Sequence, residues 1–345
     1  MTKLLTILTL RCNSSRLPGK ALAPITSRVP GSSKKVTLPL SVWILRRLRQ
    51  MDTMLCVATT ESDTDNELAR VMKAEGVEVV RGSTDDVIGR MDAVIQTGQY
   101  PGVTHILRML GDMPWPATEL IEYSTKRLSE TGKDAFVWAL DSEVWPLYGC
   151  REFAYSLKAW RHIVRNSTFR EHPDEYFHKN RKSFDILFHL PPENFYFRQS
   201  YRTEVDHERD LDLVRAVADE VGMLSPVKEI VHFLDIHPEI AKINSGYSEK
   251  TGPLSLHTYS NSQRRAWLMG LANRNIMTWQ GEWIKPPGEG AFPIFCRCGN
   301  LLGHGWESKL YTRNRAVILK QGFVRCPNCM MVKEWRQEIP RQSRV

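Results

Sequence analysis

The sequence predicts an α/β protein with a mainly parallel sheet, followed by a small C-terminal module that binds a metal. Two observations carry this prediction. Over the first 250 or so residues, short strand-like apolar runs alternate with amphipathic helix-like segments, the pattern of right-handed βαβ crossovers. Beyond that point, two close pairs of cysteines lie in a segment with a different charge balance.

Four runs of apolar, β-prone residues predict buried strands, each followed by polar residues: 4–10, 54–60, 77–80 and 105–110. Apolar residues at helical spacing predict helices over 39–48, 66–75 and 87–97. We expect Arg46, Arg47 and Arg49 on the outward face of the first helix. The stretch 26–37, rich in Ser, Lys and Gly, is interpreted as an exposed loop.

The charge is distributed unevenly along the chain. Residues 251–345 contain 14 of the 47 Lys and Arg but only 5 of the 39 Asp and Glu, so the net charge of +8 arises in this C-terminal part. The hydrophobic content of 42% is ordinary, and no apolar run approaches the roughly 18 residues that span a membrane. Because the N-terminus shows no signal-peptide pattern, we expect a cytoplasmic protein without membrane association.

A basic, hydroxyl-rich loop follows the first predicted strand. Ligands of open α/β sheets bind outside the carboxyl ends of the strands, so this composition at this place indicates a polyphosphate site. Gly19 lets the backbone approach a ligand, and Pro18 stiffens the turn before Lys20. The alternative is a solvated basic loop without a ligand. The candidate nucleotide-binding residues are Arg11, Ser14, Ser15, Arg16 and Lys20.

Residues 3–250 contain six short motifs, and both the motifs and their order along the chain resemble those of one family. They read Arg-x-x-Ser-Ser-Arg-Leu-Pro-Gly-Lys at 11–20, Val-Ala-Thr-Thr at 57–60, Arg-Gly-Ser-Thr-Asp-Asp-Val at 81–87, Arg-x-x-Gly-Asp-x-Pro at 108–114, Arg-Glu-His at 170–172 and Asp-x-x-x-Asp-Leu at 206–211. This series is similar to that of the cytidylyltransferases that make CMP-activated sugar acids, above all the spore coat polysaccharide type, with CMP-Kdo and CMP-sialic acid synthetases as cousins. The resemblance implies a Rossmann-like nucleotide-diphospho-sugar transferase fold with helices on both faces of the sheet.

The same resemblance implies an activity: transfer of CMP from CTP to an acidic sugar, with release of pyrophosphate, in polysaccharide or glycan biosynthesis. Positioning and charge neutralisation are the main tasks in such a reaction. We assign Arg11, Arg16 and Lys20 to the triphosphate and the leaving pyrophosphate. Arg81 is a further nucleotide-binding candidate, whereas Asp85 and Asp86 are expected to cap the helix that begins at Val87.

Asp112 and Asp206 are the predicted magnesium ligands. By resemblance, the Asp of Gly-Asp-x-Pro and the Asp of the late strand hold Mg²⁺ together, and carboxylate oxygens are the ligands that Mg²⁺ prefers. The alternatives are a turn residue for Asp112 and a helix N-cap for Asp206. Glu171 and His172 are candidate sugar-binding residues.

Other reactions on the same architecture are alternatives. Nucleotidyltransferases for uridine or guanosine typically carry a Gly-rich loop at this site, and the absence of glycine between Arg11 and Gly19 favours cytidine. The Asp63-Thr64-Asp65 sequence is assigned to a helix cap, which weakens the glycosyltransferase alternative.

The segment from 251 to 345 is predicted to be a second module, with a zinc ribbon at about 290–337. Two cysteine pairs separated by 27 residues have the spacing of zinc knuckles, and the residues around them favour turns. His304 could replace one ligand, and free or redox thiols are the alternative to zinc. The predicted ligands are Cys296, Cys298, Cys326 and Cys329.

Tryptophans and arginines surround the predicted ribbon. This mixture is compatible with nucleic-acid binding, with a small domain that has a Trp core, or with docking onto a protein partner, and an oligomer is also compatible with it. A second class of function is therefore a nucleic-acid-binding or scaffold protein whose nucleotidyltransferase half is a relic.

We predict one zinc ion per chain. Thiolates bind Zn²⁺ strongly, and this short module has little core without the metal, so a strong chelator should unfold residues beyond about 290. Elemental analysis and limited proteolysis with and without chelator measure both effects. A metal-free tail that is insensitive to chelator and contains paired disulfides would refute the ribbon.

Overall fold

The computed structural model describes residues 3–138, 147–148, 154–189 and 201–245, together with short strands of the C-terminal segment. The chain divides into two compact units. The first comprises Met1–Phe136, Leu147–Leu187 and Arg202–Tyr247, and the second comprises Val137–Pro146, Phe188–Tyr201 and Ser248–Val345.

The first part of the chain contains eleven described strands. They are β1 (Leu4–Thr9), β2 (Pro24–Arg28), β3 (Lys35–Pro39), β4 (Met54–Thr60), β5 (Glu78–Gly82), β6 (His105–Leu110), β7 (Ala135–Trp138), β8 (Leu147–Tyr148), β9 (Ala154–Ser156), β10 (Ile186–His189) and β11 (Tyr201–Arg202).

Its described helices are α1 (Leu40–Leu48), α2 (Asn66–Ala74), α3 (Val87–Gln96), α4 (Thr118–Thr131), α5 (Leu157–Asn166), α6 (Pro173–Lys179), α7 (Glu208–Glu220), α8 (Val227–Ile236) and α9 (Pro238–Ala241). No helix within the described residues has the length and apolar character needed to span a membrane.

The central sheet is mostly parallel, as the sequence predicts. In the first unit its order is β10–β7–β9–β6–β1–β4–β5, and β1 pairs in parallel with both β4 and β6. All six residues of β1 are buried, which fits a strand covered on both faces. Strand β9 runs antiparallel to both β6 and β7. The carboxyl ends of β1 and β6 therefore lie side by side at one edge of the sheet.

The stretch 26–37 is largely exposed, as its composition predicts, but it is not a plain loop. Half of its residues lie in the antiparallel hairpin of β2 and β3, and β2 packs against α7. The reason is the alternation along β2, which buries Ile25 and Ser27 on one side. Ser27 Oγ accepts a hydrogen bond from the backbone N–H of Met223 at 2.8 Å, and Lys35 pairs with Asp219 at 2.6 Å.

One arginine of α1 points inward, contrary to the prediction that Arg46, Arg47 and Arg49 all face outward. Arg47 is 1% exposed, and its guanidinium donates to the backbone carbonyls of Pro116, Met223 and Ser225 at 2.8, 3.2 and 2.7 Å. The two other arginines pair with Glu75 at the surface. The buried guanidinium thus joins α1 to two distant loops by satisfying their carbonyl groups.

The second unit contains β12 (Ile276–Met277), β13 (Trp283–Ile284), β14 (Phe292–Phe295), β15 (Leu301–Trp306), β16 (Lys309–Thr312), β17 (Val317–Leu319), β18 (Phe323–Arg325) and β19 (Val332–Glu334). The last six form two antiparallel sheets of three strands each, β14–β15–β16 and β17–β18–β19. The predicted zinc ligands Cys296, Cys298, Cys326 and Cys329 lie outside the described residues, so the zinc ribbon stays a prediction.

Arg47→Met should lower the free energy of unfolding by about 2–4 kcal/mol, because it leaves three buried carbonyl groups without their donor. Arg46→Met is the matched control; it removes a surface ion pair and should cost at most about 1 kcal/mol. Urea denaturation of both variants measures the difference. Equal stabilities would mean that the buried hydrogen bonds of Arg47 contribute nothing net.

Candidate active site

The loop after β1 folds back on itself. The N–H groups of Ser14 and Gly19 both donate to the carbonyl of Cys12, at 2.9 and 2.8 Å. Gly19 has φ +79°, a left-handed conformation that glycine adopts without strain, and a 3₁₀ turn begins at Lys20. This turn directs Lys20 inward, across the carboxyl end of the sheet.

A buried carboxylate fixes the start of the same loop. Asp65 accepts a hydrogen bond from Cys12 N at 2.7 Å through one oxygen, and from Thr59 and Thr60 through the other. Burial alone would raise the pKa of Asp65, but these hydrogen bonds outweigh it and hold the pKa below its ordinary value. Asp65 occupies the N-cap position of α2, as the helix-cap assignment of Asp63-Thr64-Asp65 predicts, but its side chain makes no capping hydrogen bond to that helix.

The carboxyl end of β6 approaches this loop closely. Gly111 N donates to the carbonyl of Thr9 at 3.1 Å, and a Cβ on Gly111 would lie 2.2 Å from a methyl group of Leu10. A side chain here would force Leu10 to move and would crowd the carbonyl oxygen of Thr9, 3.1 Å from the Cβ position, which favours glycine before Asp112. The carbonyl of Asp112 in turn accepts from Val205 N at 2.9 Å, so the segment before α7 reaches the same place.

Three carboxylates meet where these segments converge. One oxygen from each of Asp112, Glu204 and Asp206 lies within 4.8 Å of the others. Burial, together with the charges of the other two, raises the pKa of Glu204 to about 8. The Oδ1 atom of Asp112 is buried and accepts no hydrogen bond within the described part of the protein. An all-oxygen set with a free carboxylate oxygen suits a hard cation such as Mg²⁺.

Lys20 and Arg16 from the loop contact these carboxylates. Lys20 Nζ lies 2.8 Å from Asp112 Oδ2, 3.2 Å from Asp206 Oδ1 and 2.6 Å from the carbonyl oxygen of Val205. Arg16 lies 2.7 Å from Asp206 Oδ1. The Lys20 side chain is only 9% exposed, so the alternative of a solvated loop lysine is wrong.

A second buried carboxylate, that of Asp210, fixes the backbone at Asp206. Asp210, fully buried, accepts from the N–H groups of Asp206 and His207 at 2.9 and 2.8 Å and from Arg202 Nε at 3.1 Å. The N-cap of α7 is His207, so Asp206 is not the N-cap residue that the alternative required. Its second oxygen pairs with Arg202 at 3.0 Å.

These groups border a cleft of about 300 Å³ in the first unit. The structure brings eight of the predicted residues to its lining: Arg11, Ser14, Ser15, Arg16, Lys20, Asp112, Glu171 and His172. Asp206 lies beneath the lining, in contact with Lys20 and Arg16. Arg11 and Glu171 face each other at 3.9 Å. Burial and the nearby Arg108 lower the pKa of His172.

Arg81 is placed differently from the prediction. Its guanidinium donates to the carbonyls of Thr60 and Ser62, both at 2.8 Å, and to Asn66 Oδ1 at 2.6 Å, and it is not among the described residues of the cleft. It holds the turn after β4 rather than facing a ligand. Asp86 caps α3 as expected, by accepting from Gly89 N.

Sequence reasoning missed three charged residues of the cleft. Arg108 stands in the Arg-x-x-Gly-Asp-x-Pro motif, two residues before Leu110, so both lie on one face of β6 and line the cleft, and Asp112 follows in the turn after the strand. Glu204 has the same alternate spacing to Asp206, which was the available signal. Arg90 lies within an apolar stretch of α3, and no sequence pattern singled it out.

The chain resembles known nucleotide-handling proteins. Residues 13–176 match the family model of the MobA-like NTP transferase domain. Most of the matched residues lie in the first unit. The spore coat polysaccharide biosynthesis protein SpsF of Bacillus subtilis is 27% identical over 252 residues, which cover 70% of this chain and 98% of that protein. An uncharacterised protein of Methanocaldococcus jannaschii is 27% identical over 255 residues, 72% of this chain and 97% of the relative.

A solved structure supports the fold of the first unit. A cytidylyltransferase of Leptospira borgpetersenii superposes with a TM-score of 0.60 at 19% identity, covering 72% of this chain and 100% of that structure. The predicted α/β fold with a mostly parallel sheet is therefore confirmed, and the match of residues 13–176 to the NTP transferase family model bears out the predicted enzyme class.

Asp65→Asn should lower the free energy of unfolding by about 1–3 kcal/mol at pH 7, because an amide cannot accept from all the donors around it. Since the pKa of Asp65 is lowered in the folded protein, its contribution is present above the unfolded pKa and is lost on acidification. The difference from wild type should therefore shrink below about pH 4.

Urea denaturation at a series of pH values measures this difference, with Asp63→Asn, an exposed neighbour, as the control. If the difference in free energy of unfolding between wild type and Asp65→Asn stays constant from pH 7 to pH 3, the charge of Asp65 does not anchor the loop.

Proposed function

We propose that the nucleotidyltransferase domain transfers CMP from CTP to an acidic sugar in polysaccharide biosynthesis. The observation that carries the proposal is the convergence of Lys20 and Arg16 with the carboxylates of Asp112 and Asp206 at the carboxyl end of the sheet. Cations for a triphosphate and oxygen ligands for a divalent cation are thereby adjacent, which is the arrangement that transfer of a nucleotidyl group requires.

The reaction is a displacement at the α-phosphorus of CTP. The sugar hydroxyl oxygen forms a bond to that phosphorus and loses its proton, while the bond to the bridging oxygen breaks and pyrophosphate leaves. Mg²⁺, when bound by Asp112 and Asp206 with Glu204 beside them, would supply Lewis-acid stabilisation of phosphoryl charge. Lys20 and Arg16 neutralise the charge of the leaving pyrophosphate, and Ser14 and Ser15 offer hydroxyl donors to the phosphates.

Cytidine and an acidic sugar are the substrates that two observations favour. The loop between Arg11 and Gly19 lacks the glycines typical of enzymes that use uridine or guanosine nucleotides. The similarity to SpsF, named for spore coat polysaccharide biosynthesis, extends over almost the whole length of that protein. Glu171 and His172 are the proposed hydroxyl-binding residues for the sugar, because both line the cleft beside the phosphate-binding loop.

We expect pyrophosphate release that depends on CTP, Mg²⁺ and an acidic sugar, and we expect Asp112→Asn and Asp206→Asn each to reduce it by about 100-fold or more. The amide keeps the shape of the carboxylate but removes the charge that a hard cation needs. A coupled pyrophosphate assay over a panel of acidic sugars measures the rate. Higher Mg²⁺ should partly rescue at least one variant.

The matched control is Asp212→Asn on the exposed face of α7, which should keep the wild-type rate. Release with UTP or GTP but never with CTP would contradict the nucleotide assignment. Near wild-type rates for both Asp112→Asn and Asp206→Asn would show that neither residue is a metal ligand.

A further inference from the structure

Two arginines that do not belong to the loop after β1 also line the cleft. Arg90 lies on α3 and Arg108 on β6, and they are only 4% and 8% exposed. The proposed reaction assigns roles to the cations Lys20 and Arg16, but not to these two arginines. A guanidinium is expensive to bury unless a carboxylate or several acceptors compensate it, so two buried arginines at a cleft need an explanation.

Within the described residues, the compensation of both arginines is incomplete. Arg90 has no carboxylate within 4.0 Å, donates to the carbonyl of Ser83 at 2.8 Å, and has a buried Nε without an acceptor. Arg108 reaches one carboxylate oxygen of Asp174 at 3.4 Å, and its Nε also lacks an acceptor. The other oxygen of Asp174 is used by the hydroxyl of Tyr155 at 2.6 Å.

The electrostatics around Arg90 are consistent with uncompensated positive charge. Burial, and then the neighbouring charges of Arg11 and Arg108, lower the pKa of Arg90 to about 10, against a smaller opposing effect of the carboxylates of Asp65 and Asp86. Three guanidinium groups thus repel one another at this part of the cleft. Glu171 lies on the same wall, 3.9 Å from Arg11, and is itself half exposed. An anion bound between Arg90 and Arg108 would remove the imbalance.

This part of the cleft has other charged partners than the predicted metal site. Arg108 lies within β6 and pairs with Asp174, whereas Asp112 lies in the turn after β6, which ends at Leu110, and pairs with Lys20. His172, whose ring lines the cleft, lies close enough to Arg108 for the arginine to lower its pKa. Glu171 and His172 offer hydrogen-bonding groups for hydroxyls beside the two guanidiniums.

We infer that Arg90 and Arg108 form the subsite that binds the carboxylate of the acceptor sugar. The planar guanidinium fork matches a carboxylate, and the adjacent Glu171 and His172 suit sugar hydroxyls. The assignment to an acceptor rests on the proposed function, whereas the binding of an anion by these two arginines does not. The triphosphate belongs to the opposite end, where Arg16 and Lys20 meet the carboxylates.

The test uses the full chain without nucleotide, and its probe is D-glucuronate, with D-glucose as the neutral analogue. Melting temperature is measured for wild type, Arg90→Met, Arg108→Met and the surface control Arg70→Met. Glucuronate should raise the melting temperature of wild type and of the control, glucose should not, and the two cleft variants should lose the effect. Because each cleft variant removes an uncompensated buried charge, its ligand-free melting temperature should equal or exceed that of wild type.

A second measurement separates acceptor from nucleotide. With CTP and Mg²⁺, Arg90→Met and Arg108→Met should raise the KM for the acidic sugar roughly 10- to 100-fold and leave the KM for CTP unchanged. A raised KM for CTP instead, or a glucuronate effect that saturating CTP abolishes, would assign the two arginines to the triphosphate and overturn the inference.

These measurements distinguish a failure of the inference from a failure of the proposed function. Cleft variants that melt at a lower temperature and keep the glucuronate effect would give the arginines a structural role only. If CTP binds to no variant while the glucuronate effect still depends on Arg90 and Arg108, the nucleotide assignment fails and the anion subsite stands.

Discussion

The ammonium group of Lys20 holds the candidate active site together. It lies within 3.2 Å of one oxygen each from Asp112, Asp206 and the carbonyl of Val205, residues that are 92 to 186 positions away in the sequence. Without this cation, the closely spaced carboxylates would repel one another in a partly buried place. The contact therefore brings the loop after β1, the end of β6 and the segment before α7 to one point.

Buried carboxylates elsewhere position the backbone rather than a ligand. Asp65 accepts from the N–H of Cys12 and so fixes the start of the phosphate-binding loop, and Asp210 accepts from two N–H groups and so fixes Asp206. Both carboxylates have a lowered pKa: burial opposes ionisation, but hydrogen bonds and, for Asp210, the neighbouring arginine outweigh it. The side chains of the candidate site thus depend on acidic residues that do not line the cleft.

The cationic side chains of the cleft fall into two groups that differ in their partners. At one end Lys20 and Arg16 are paired with carboxylates, and a divalent cation and a triphosphate can take over these partners during a reaction. At the other end, Arg90 and Arg108 are buried and have few hydrogen-bond acceptors. Their remaining N–H donors are therefore available to bind an anion. The same domain therefore provides one end suited to phosphoryl chemistry and another suited to recognition of an acceptor.

The sequence by itself determined four strands of the central sheet, the order of the first βα units and the basic, hydroxyl-rich character of the loop at residues 11–20, because apolar periodicity and turn residues are local signals. It also indicated Asp112 and Asp206 by their places at strand ends. Only the tertiary structure decided which charged residues are buried. Arg47 and Arg90 both lie within helices, yet Arg47 satisfies backbone carbonyls and Arg90 lines the cleft. The physical reason is that a guanidinium is accommodated inside a protein only by acceptors or ligands from distant segments, and folding alone brings these together.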